Sequence, residues 1–192
     1  MYTDYSTHIE LNYPPNSEQW KEERKKYITS TGISSICNEN IFKSRDDYAK
    51  EFNSSYFSPS PNENMLRGIR EEPLAIKLYE EQTNSICESV SFCLSKSYPF
   101  LGATPDRIVT SYKGLKCNNR IVEVKSRKKF YDSIFESDYL QMQTAMGVCG
   151  KEYCDYVVYV NREIKIKEVK FSLEIWENII SECILFQEEY NL

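Results

Sequence analysis

The sequence of 192 residues predicts an α/β fold in which a central mixed β-sheet is flanked by helices. Two observations predict it. Runs of apolar and β-branched residues, typical of buried strands, occur over Gly102–Thr110 and Ile121–Arg127. Segments with helical periodicity stand before, between and after such strands, which is the order expected when helices cover a sheet. The length suits one domain with a sizeable core, so we expect residues 1–192 to form a single domain.

Helices dominate the first half of the predicted structure. We expect residues 1–16 to form an irregular arm, because they contain two prolines and show no periodicity. Four helices follow: from Ser17 to about Tyr27, after Ser30 or Thr31, over Ser44–Phe52, and from about Glu63 to Gln82. Pro73 is expected to kink or restart the last of these helices, and Asn53–Asn64 to form a loop.

The second half predicts most of the sheet. In chain order it predicts strands over Ile86–Leu94, Gly102–Thr110 and Ile121–Arg127, a helix over about Phe130–Cys149, strands over Tyr153–Val160 and Ile164–Phe171, and a helix from Ser172 to about Tyr190. Gly150 is a candidate C-cap. The turn residues Asn161 and Arg162 predict a hairpin between the last two strands.

Ionisable residues interrupt two of these strands. Glu123 and Lys125 alternate with valines, so both side chains point to one face of their strand. If the preceding strand lies alongside, Asp106 joins Glu123 on that face, and two such close carboxylates repel each other unless a cation lies between them. Oxygen ligands favour Mg²⁺ or Mn²⁺. The sequence therefore predicts a divalent-metal site beside an ammonium that a phosphate can approach, although solvated charges on an edge strand remain an alternative.

Composition narrows the possible functions. Seven scattered Cys and a single His, His8, predict free thiols in a reducing intracellular compartment, cytoplasm or host nucleus, without a zinc site or an iron–sulfur cluster. We expect neither a secretory signal nor a membrane span. The formal net charge of −5 lowers non-specific DNA binding, but basic clusters at Lys21–Lys26 and Lys125–Lys129 leave local sites for phosphate.

The site pattern resembles the PD-(D/E)xK nuclease superfamily, because Pro105-Asp106 is followed after sixteen residues by Glu123-Val-Lys125. Four stretches together resemble the phage-lambda-type exonucleases, also called YqaJ-like viral recombinase nucleases. These stretches are Trp20-x-x-x-Arg24-x-x-x-Ile28-Thr29-x-Thr31, Arg67-Gly68-x-x-x-Glu72-x-x-Ala75, Gly102-Ala-Thr-Pro-Asp106 with Glu123-Val-Lys125, and Tyr139-Leu-Gln141-Met-Gln143-Thr-Ala-Met146. Together they span roughly residues 17–160.

The resemblance implies a restriction-endonuclease-like core and roles for particular residues. The implied metal ligands are Glu72, Asp106, Glu123 and the carbonyl of Val124. Lys125 then orients or activates the attacking water, and Gln141 assists beside it. Glu71 and Gln143 remain alternatives to Glu72 and Gln141.

A second implied site is a pocket for a 5′-phosphate. The resemblance places Arg24, Thr31 and Thr104 in it, although the family usually has Ser where the two threonines stand. The basic run Arg127, Lys128 and Lys129 directly follows the catalytic strand, where a DNA backbone phosphate needs neutralising.

The expected activity is that of a Mg²⁺-dependent deoxyribonuclease. We expect it to degrade linear duplex DNA from a 5′-phosphorylated end, releasing 5′ mononucleotides and leaving a 3′ overhang, in viral or phage recombination. The resemblance implies a single-strand annealing protein as partner. It also implies a ring-shaped trimer, but the C-terminus is short for the family, so the oligomeric state is not predicted. Two alternatives remain: an endonuclease of the same fold that cuts DNA or RNA internally, and a catalytically inactive nucleic-acid-binding module.

Overall fold

The computed structural model describes residues 2–14, 17–54 and 62–191 of the chain. The helices in these ranges are α1 (Glu18–Arg24), α2 (Ile33–Ile36), α3 (Arg45–Phe52), α4 (Glu63–Thr83), α5 (Glu136–Cys149) and α6 (Leu173–Tyr190). The strands are β1 (Tyr2–Asp4), β2 (His8–Leu11), β3 (Ile28–Thr29), β4 (Ile86–Glu88), β5 (Phe92–Ser95), β6 (Leu101–Ala103), β7 (Arg107–Tyr112), β8 (Leu115–Lys116), β9 (Arg120–Ser126), β10 (Tyr153–Val160) and β11 (Glu163–Lys170).

The predicted α/β class is confirmed, and the strands divide between two mixed sheets. The first sheet has the order β1-β2-β5-β6-β3, in which β3 and β6 are parallel. The second has the order β11-β10-β9-β7-β4, with β8 paired to β7, and in it β9 and β10 are parallel while β7 and β9 are antiparallel.

Two predicted strands are each split between the two sheets. The segment Ile86–Leu94 contributes β4 to the second sheet and β5 to the first, and Gly102–Thr110 contains parts of β6 and β7. The break in the latter falls at residues 104–106, where proline cannot donate to a strand ladder. Asp106 therefore stands directly before β7, at the point where the chain passes from one sheet to the other.

The prediction of an irregular N-terminal arm is wrong for Tyr2–Asp4 and His8–Leu11, which form strands, while residues 12–14 belong to neither helix nor strand. Strands β1 and β2 form an antiparallel pair, and β2 pairs with β5 of the first sheet. Strands of three and four residues are too short to leave a clear periodic signal. Strand β2 pairs instead with β5, which lies more than 80 residues further along the chain and satisfies backbone groups of β2.

Helix ends follow the predicted capping residues closely. Ser17, Ser44 and Ser172 each accept a backbone N–H at the start of a helix, and Gly150 ends α5 with a φ of 63°. Three details differ. The short helix after Thr31 begins behind Gly32, α5 begins six residues later than predicted, and α4 continues through Pro73 without a restart. Most of the predicted loop Asn53–Asn64 lies outside the described residues.

Two apolar clusters cover opposite faces of the second sheet, because neighbouring strand residues point to opposite sides. Ile121 and Tyr156 pack with α5 and α6, whereas Val122 and Val157 pack beneath α4. Packing on the sheet explains why α4 stays continuous, since its buried side chains follow Pro73 in the sequence. Within the described ranges, every helix is too short or too polar to span a lipid bilayer.

A buried ionic network fixes α4 to the second sheet. Asp155 on β10 is 1% exposed and accepts hydrogen bonds from Arg120 on β9 and from the hydroxyl of Tyr79 on α4. Arg120 also bonds Glu168 on β11 at 2.7 Å. Removing one member of such a network leaves a buried charge without its partner, so this network holds the position of α4 over the strands.

We predict that Asp155→Ala lowers the free energy of unfolding by about 3 kcal/mol, because Arg120 keeps only its half-exposed partner Glu168. Denaturant unfolding measures this change. The control is Glu81→Ala, which removes an exposed pair with Lys77 at 4.0 Å and should cost less than about 0.5 kcal/mol. Equal effects of the two substitutions would contradict a fixing role for the network.

Candidate active site

The centre of the site is a carboxylate pair on neighbouring strands. The antiparallel register pairs Arg107 with Val122, so the next position along places Asp106 opposite Glu123. Asp106 Oδ2 accepts the backbone N–H of Val124 at 2.6 Å. Glu123 is only 3% exposed. The structure therefore brings together the two acids that the sequence separates by sixteen residues.

Lys125 and Gln141 contact the same oxygen of Glu123. Lys125 Nζ donates to Glu123 Oε1 at 2.8 Å, and Gln141 Nε2 donates to it at 2.6 Å. Lys125 also donates to Gln141 Oε1 at 2.8 Å, which closes a triangle of hydrogen bonds. Lys125 and Glu123 share a strand face as predicted, and α5 supplies Gln141 from the helix that packs on that face.

Glu72 approaches the pair from α4. Its Oε1 accepts a hydrogen bond from Arg107 Nη1 at 2.8 Å, and its negative charge raises the pKa values of both Asp106 and Glu123. Within the described residues, the three carboxylates are not gathered within 4.8 Å of one another. To share an ion with the pair, Glu72 would therefore have to move closer to Asp106 and Glu123.

The pKa values reflect crowding of negative charge in a dry setting. Burial, followed by the charges of Glu123 and Glu72, holds the pKa of Asp106 well above its usual value. Burial also raises the pKa of Glu123, against the opposing effect of Lys125. Burial lowers the pKa of Lys125, but Glu123 and Asp138 outweigh it, so the ammonium stays protonated.

The donor set fits a hard divalent cation. Three carboxylates face two cationic side chains, Lys125 and Arg107, which leaves negative charge uncompensated. Carboxylate oxygens are the ligands that Mg²⁺ and Mn²⁺ prefer, and Asp106 and Glu123 would hold such an ion with Glu72 at the rim. Val124 contributes its N–H to Asp106, and a ligand role for its carbonyl stays a prediction.

The structure separates the alternative residues. Glu71 contacts the hydroxyl of Ser126, which also accepts from Arg67, so Glu71 is occupied away from the carboxylate pair. Gln143 is fully buried, donating to the carbonyl of Lys170 and accepting the N–H of Ser172, as a brace between β11 and α6. Glu72 and Gln141 are the residues that face the site.

Asp138 belongs to the site although the sequence analysis missed it. It is buried, accepts Arg127 and the hydroxyl of Tyr156 at 2.6 Å each, and lies 3.8 Å from Lys125. Its position three residues before Gln141 on one helix was an available signal.

The predicted basic run divides into two parts. The ion pair with Asp138 holds the Arg127 side chain, which is half-buried. Lys128 and Lys129, which follow β9, are exposed to solvent. Contact of these residues with DNA phosphate stays a prediction.

A second candidate site surrounds Arg24. Its guanidinium stacks over the Trp20 ring at 4.2 Å, and its Nε is buried without a hydrogen-bond partner. Burial lowers the pKa of Arg24. A cavity of about 360 Å³ opens beside it, lined also by Thr29, Thr31 and Lys43. A buried cation with free donors at a cavity is suited to an anionic ligand.

Thr104 directly follows β6, and Thr31 follows the neighbouring strand β3. Strands β3 and β6 run parallel with Thr29 opposite Gly102, so Thr31 and Thr104 each follow two residues later. The hydroxyl of Thr104 is buried without a partner, and Thr31 Oγ1 lies 3.0 Å from Thr29 Oγ1. Thr104 does not line the cavity itself.

The second sheet, with Asp106, Glu123 and Lys125 at the meeting of β7 and β9, is consistent with a PD-(D/E)xK-like core. Residues 19–152 match the family model of the YqaJ-like viral recombinase domain. The chain belongs to this family, and the predicted resemblance is confirmed. No curated protein matches the sequence significantly.

Solved structures share the fold. LHK-Exo, an alkaline exonuclease from Laribacter hongkongensis, was solved in complex with dAMP; it is 21% identical with a TM-score of 0.80, over 91% of this chain and 93% of that one. A phage-related exonuclease from Haemophilus somnus 129PT is 14% identical with a TM-score of 0.64, over 85% of this chain and 93% of that one. At these identities the comparison establishes the fold.

We predict that Asp106→Asn raises the melting temperature of the metal-free protein at neutral pH by roughly 3 °C. The folded chain has a raised Asp106 pKa, so it binds protons that the unfolded chain releases, and stability falls as pH rises above the ordinary value of 3.8. Asparagine removes this titration and keeps an acceptor for Val124. Thermal melts from acid to neutral pH measure it, with exposed Asp132→Asn as control. If Asp106→Asn left the pH dependence of the melting temperature unchanged, this would contradict a raised pKa of Asp106 in the folded chain.

Proposed function

We propose that this protein is a divalent-metal-dependent DNA exonuclease that degrades linear duplex DNA from a 5′-phosphorylated end to 5′ mononucleotides. The observation that carries the proposal is the convergence of Asp106, Glu123 and Lys125 with Gln141, next to Glu72. Family membership supports it, because the family is described as one of viral recombinases. A role in recombination with a single-strand annealing protein follows as part of the same proposal.

Each site residue has a chemical task in this proposal. When bound, Mg²⁺ or Mn²⁺ lowers the pKa of water and offsets the charge of the phosphodiester. Asp106 and Glu123, with Glu72 beside them, would hold the cation, and Arg107 pairs with Glu72 when no ion is bound. Lys125 stabilises negative charge that develops on the phosphoryl oxygens and orients the attacking water. Gln141 holds both Lys125 and Glu123 in place through its two polar atoms.

The Arg24 cavity supports selection of a DNA end. A terminal phosphate carries more charge than an internal phosphodiester, and a guanidinium binds it through paired hydrogen bonds. Arg24 has a buried donor free for this purpose, and the hydroxyls of Thr31 and Thr104 follow neighbouring strand ends. The neighbour from Laribacter hongkongensis was solved with dAMP, a 5′ mononucleotide, which agrees with release of such products.

Three substrates test the proposal directly. Purified protein with Mg²⁺ is incubated with linear duplex DNA bearing 5′-phosphate, the same DNA bearing 5′-hydroxyl, and covalently closed circular DNA. We expect rapid release of mononucleotides from the first, slow release from the second and none from the third. Cutting of the circle would favour an endonuclease of the same fold, and binding without any cleavage would favour an inactive nucleic-acid-binding module.

We predict that Lys125→Met lowers the rate of cleavage by about a hundredfold or more, because the methyl thioether cannot stabilise developing charge. Single-turnover kinetics with saturating Mg²⁺ measures the loss. The control Lys116→Met changes an exposed lysine on β8 and should leave the rate unchanged. Cleavage at the unsubstituted rate by Lys125→Met would rule out the assigned role.

We predict that Arg24→Gln slows digestion of 5′-phosphorylated DNA roughly 10- to 100-fold, because charge-assisted hydrogen bonds to the terminal phosphate are lost. Digestion of 5′-hydroxyl DNA should change little, so the preference between the two ends collapses. The control is Arg70→Gln, an exposed residue of α4. A preserved preference for 5′-phosphate in Arg24→Gln would show that end selection lies elsewhere.

A further inference from the structure

The single histidine meets two of the seven cysteines in the core of the first sheet. A ring nitrogen of His8 and the sulfurs of Cys93 and Cys149 all lie within 4.8 Å of one another. The three residues are 3%, 0% and 2% exposed. In residues 2–14, 17–54 and 62–191, this is the one group of three metal-binding side chains at such spacing.

The fold brings these residues together from distant parts of the sequence. His8 and Glu10 alternate on β2, and Glu10 pairs with Cys93 on β5, so their side chains share one face of the sheet. The end of α5 lies against Thr7, the residue before β2: a Cβ added to Gly150 would meet the Thr7 side chain at 2.5 Å. The residue before Gly150, the last of α5, supplies the third side chain.

The hydrogen bonding of the His8 imidazole independently indicates a ligand. Its Nδ1 lies 3.0 Å from the hydroxyl of Thr7, whereas its Nε2 is buried with no hydrogen-bond partner. A buried polar atom without a partner costs free energy unless something binds it. With Nδ1–H donating to that hydroxyl, Nε2 is the ring nitrogen available to a metal ion, and metal-bound histidines commonly donate a hydrogen bond from their other ring nitrogen.

We propose that His8, Cys93 and Cys149 bind one Zn²⁺ ion. Thiolate and imidazole are ligands of zinc, and in tetrahedral geometry two ligand atoms of one zinc ion lie about 3.5–3.8 Å apart, which the observed limit of 4.8 Å allows. Binding releases two thiol protons to solvent, so the two thiolates balance the charge of the ion. A neutral complex is suited to a buried position.

The ion joins three elements that are far apart in the chain. It ties β2 of the N-terminal hairpin to β5 and to the C-terminal end of α5. The same helix carries Asp138 and Gln141 towards its other end. We assign the ion a structural role, which is independent of the proposed nuclease chemistry.

Metal analysis and spectroscopy of the full chain test the site. Reduced, metal-stripped protein is titrated with Zn²⁺ and, in parallel, with Co²⁺, both under excess Mg²⁺ to keep the carboxylate site occupied by a hard ion. We expect about one Zn²⁺ per chain and a thiolate-to-cobalt charge-transfer band, which carboxylates cannot produce. Zinc should also raise the melting temperature by roughly 5–10 °C at saturating concentration.

Matched cysteine variants locate the ion. Cys149→Ala should lose the zinc, the cobalt band and the thermal shift, whereas Cys183→Ala, which changes an equally buried thiol on α6, should keep all three. The cobalt band of the unsubstituted protein decides the matter if Cys149→Ala fails to fold. Absence of zinc binding and of the band, retention of both in Cys149→Ala, or a Cys93–Cys149 disulfide in the native protein would overturn the proposal.

Discussion

The register between β7 and β9 is the constraint on which the rest of the site depends. It sets Asp106 beside Glu123, where burial and neighbouring negative charges raise the pKa values of both carboxyl groups. Neighbouring elements stabilise the two carboxylates through hydrogen bonds. Strand β9 contributes the N–H of Val124 and the ammonium of Lys125, and α5 contributes the amide of Gln141. Because a divalent cation bound between the two carboxylates would remove their repulsion, the site favours such an ion.

Local signals in the sequence predicted much of this arrangement. The hairpin of β10 and β11, the caps at Ser172 and Gly150, and the shared face of Glu123 and Lys125 all depend on residues close in sequence. The division of Gly102–Thr110 between two sheets did not follow from its pattern, since apolar alternation does not record which sheet a strand joins. The strands within residues 1–16 depend on pairing with β5, which no local pattern encodes.

Side-chain partners across long sequence distances were the least predictable part. Glu71 and Glu72 are adjacent and alike in the sequence, and only the direction of α4 separates a partner of Ser126 from a partner of Arg107. The cysteines show the same limit more strongly. Their spacing predicted free thiols, yet folding places Cys93 and Cys149 beside the single histidine. Charge and burial at both sites follow from the tertiary fold.

Anomalous scattering from crystals of the protein grown with Mn²⁺ tests the central claim most directly. The account predicts a peak between Asp106 and Glu123, at about 2.1–2.3 Å from one carboxylate oxygen of each. Glu72 should then have turned from Arg107 towards the ion, with Lys125 within reach of the bound water. A peak elsewhere in fully loaded crystals, or none at the carboxylate pair, would contradict a metal-dependent site built on this register.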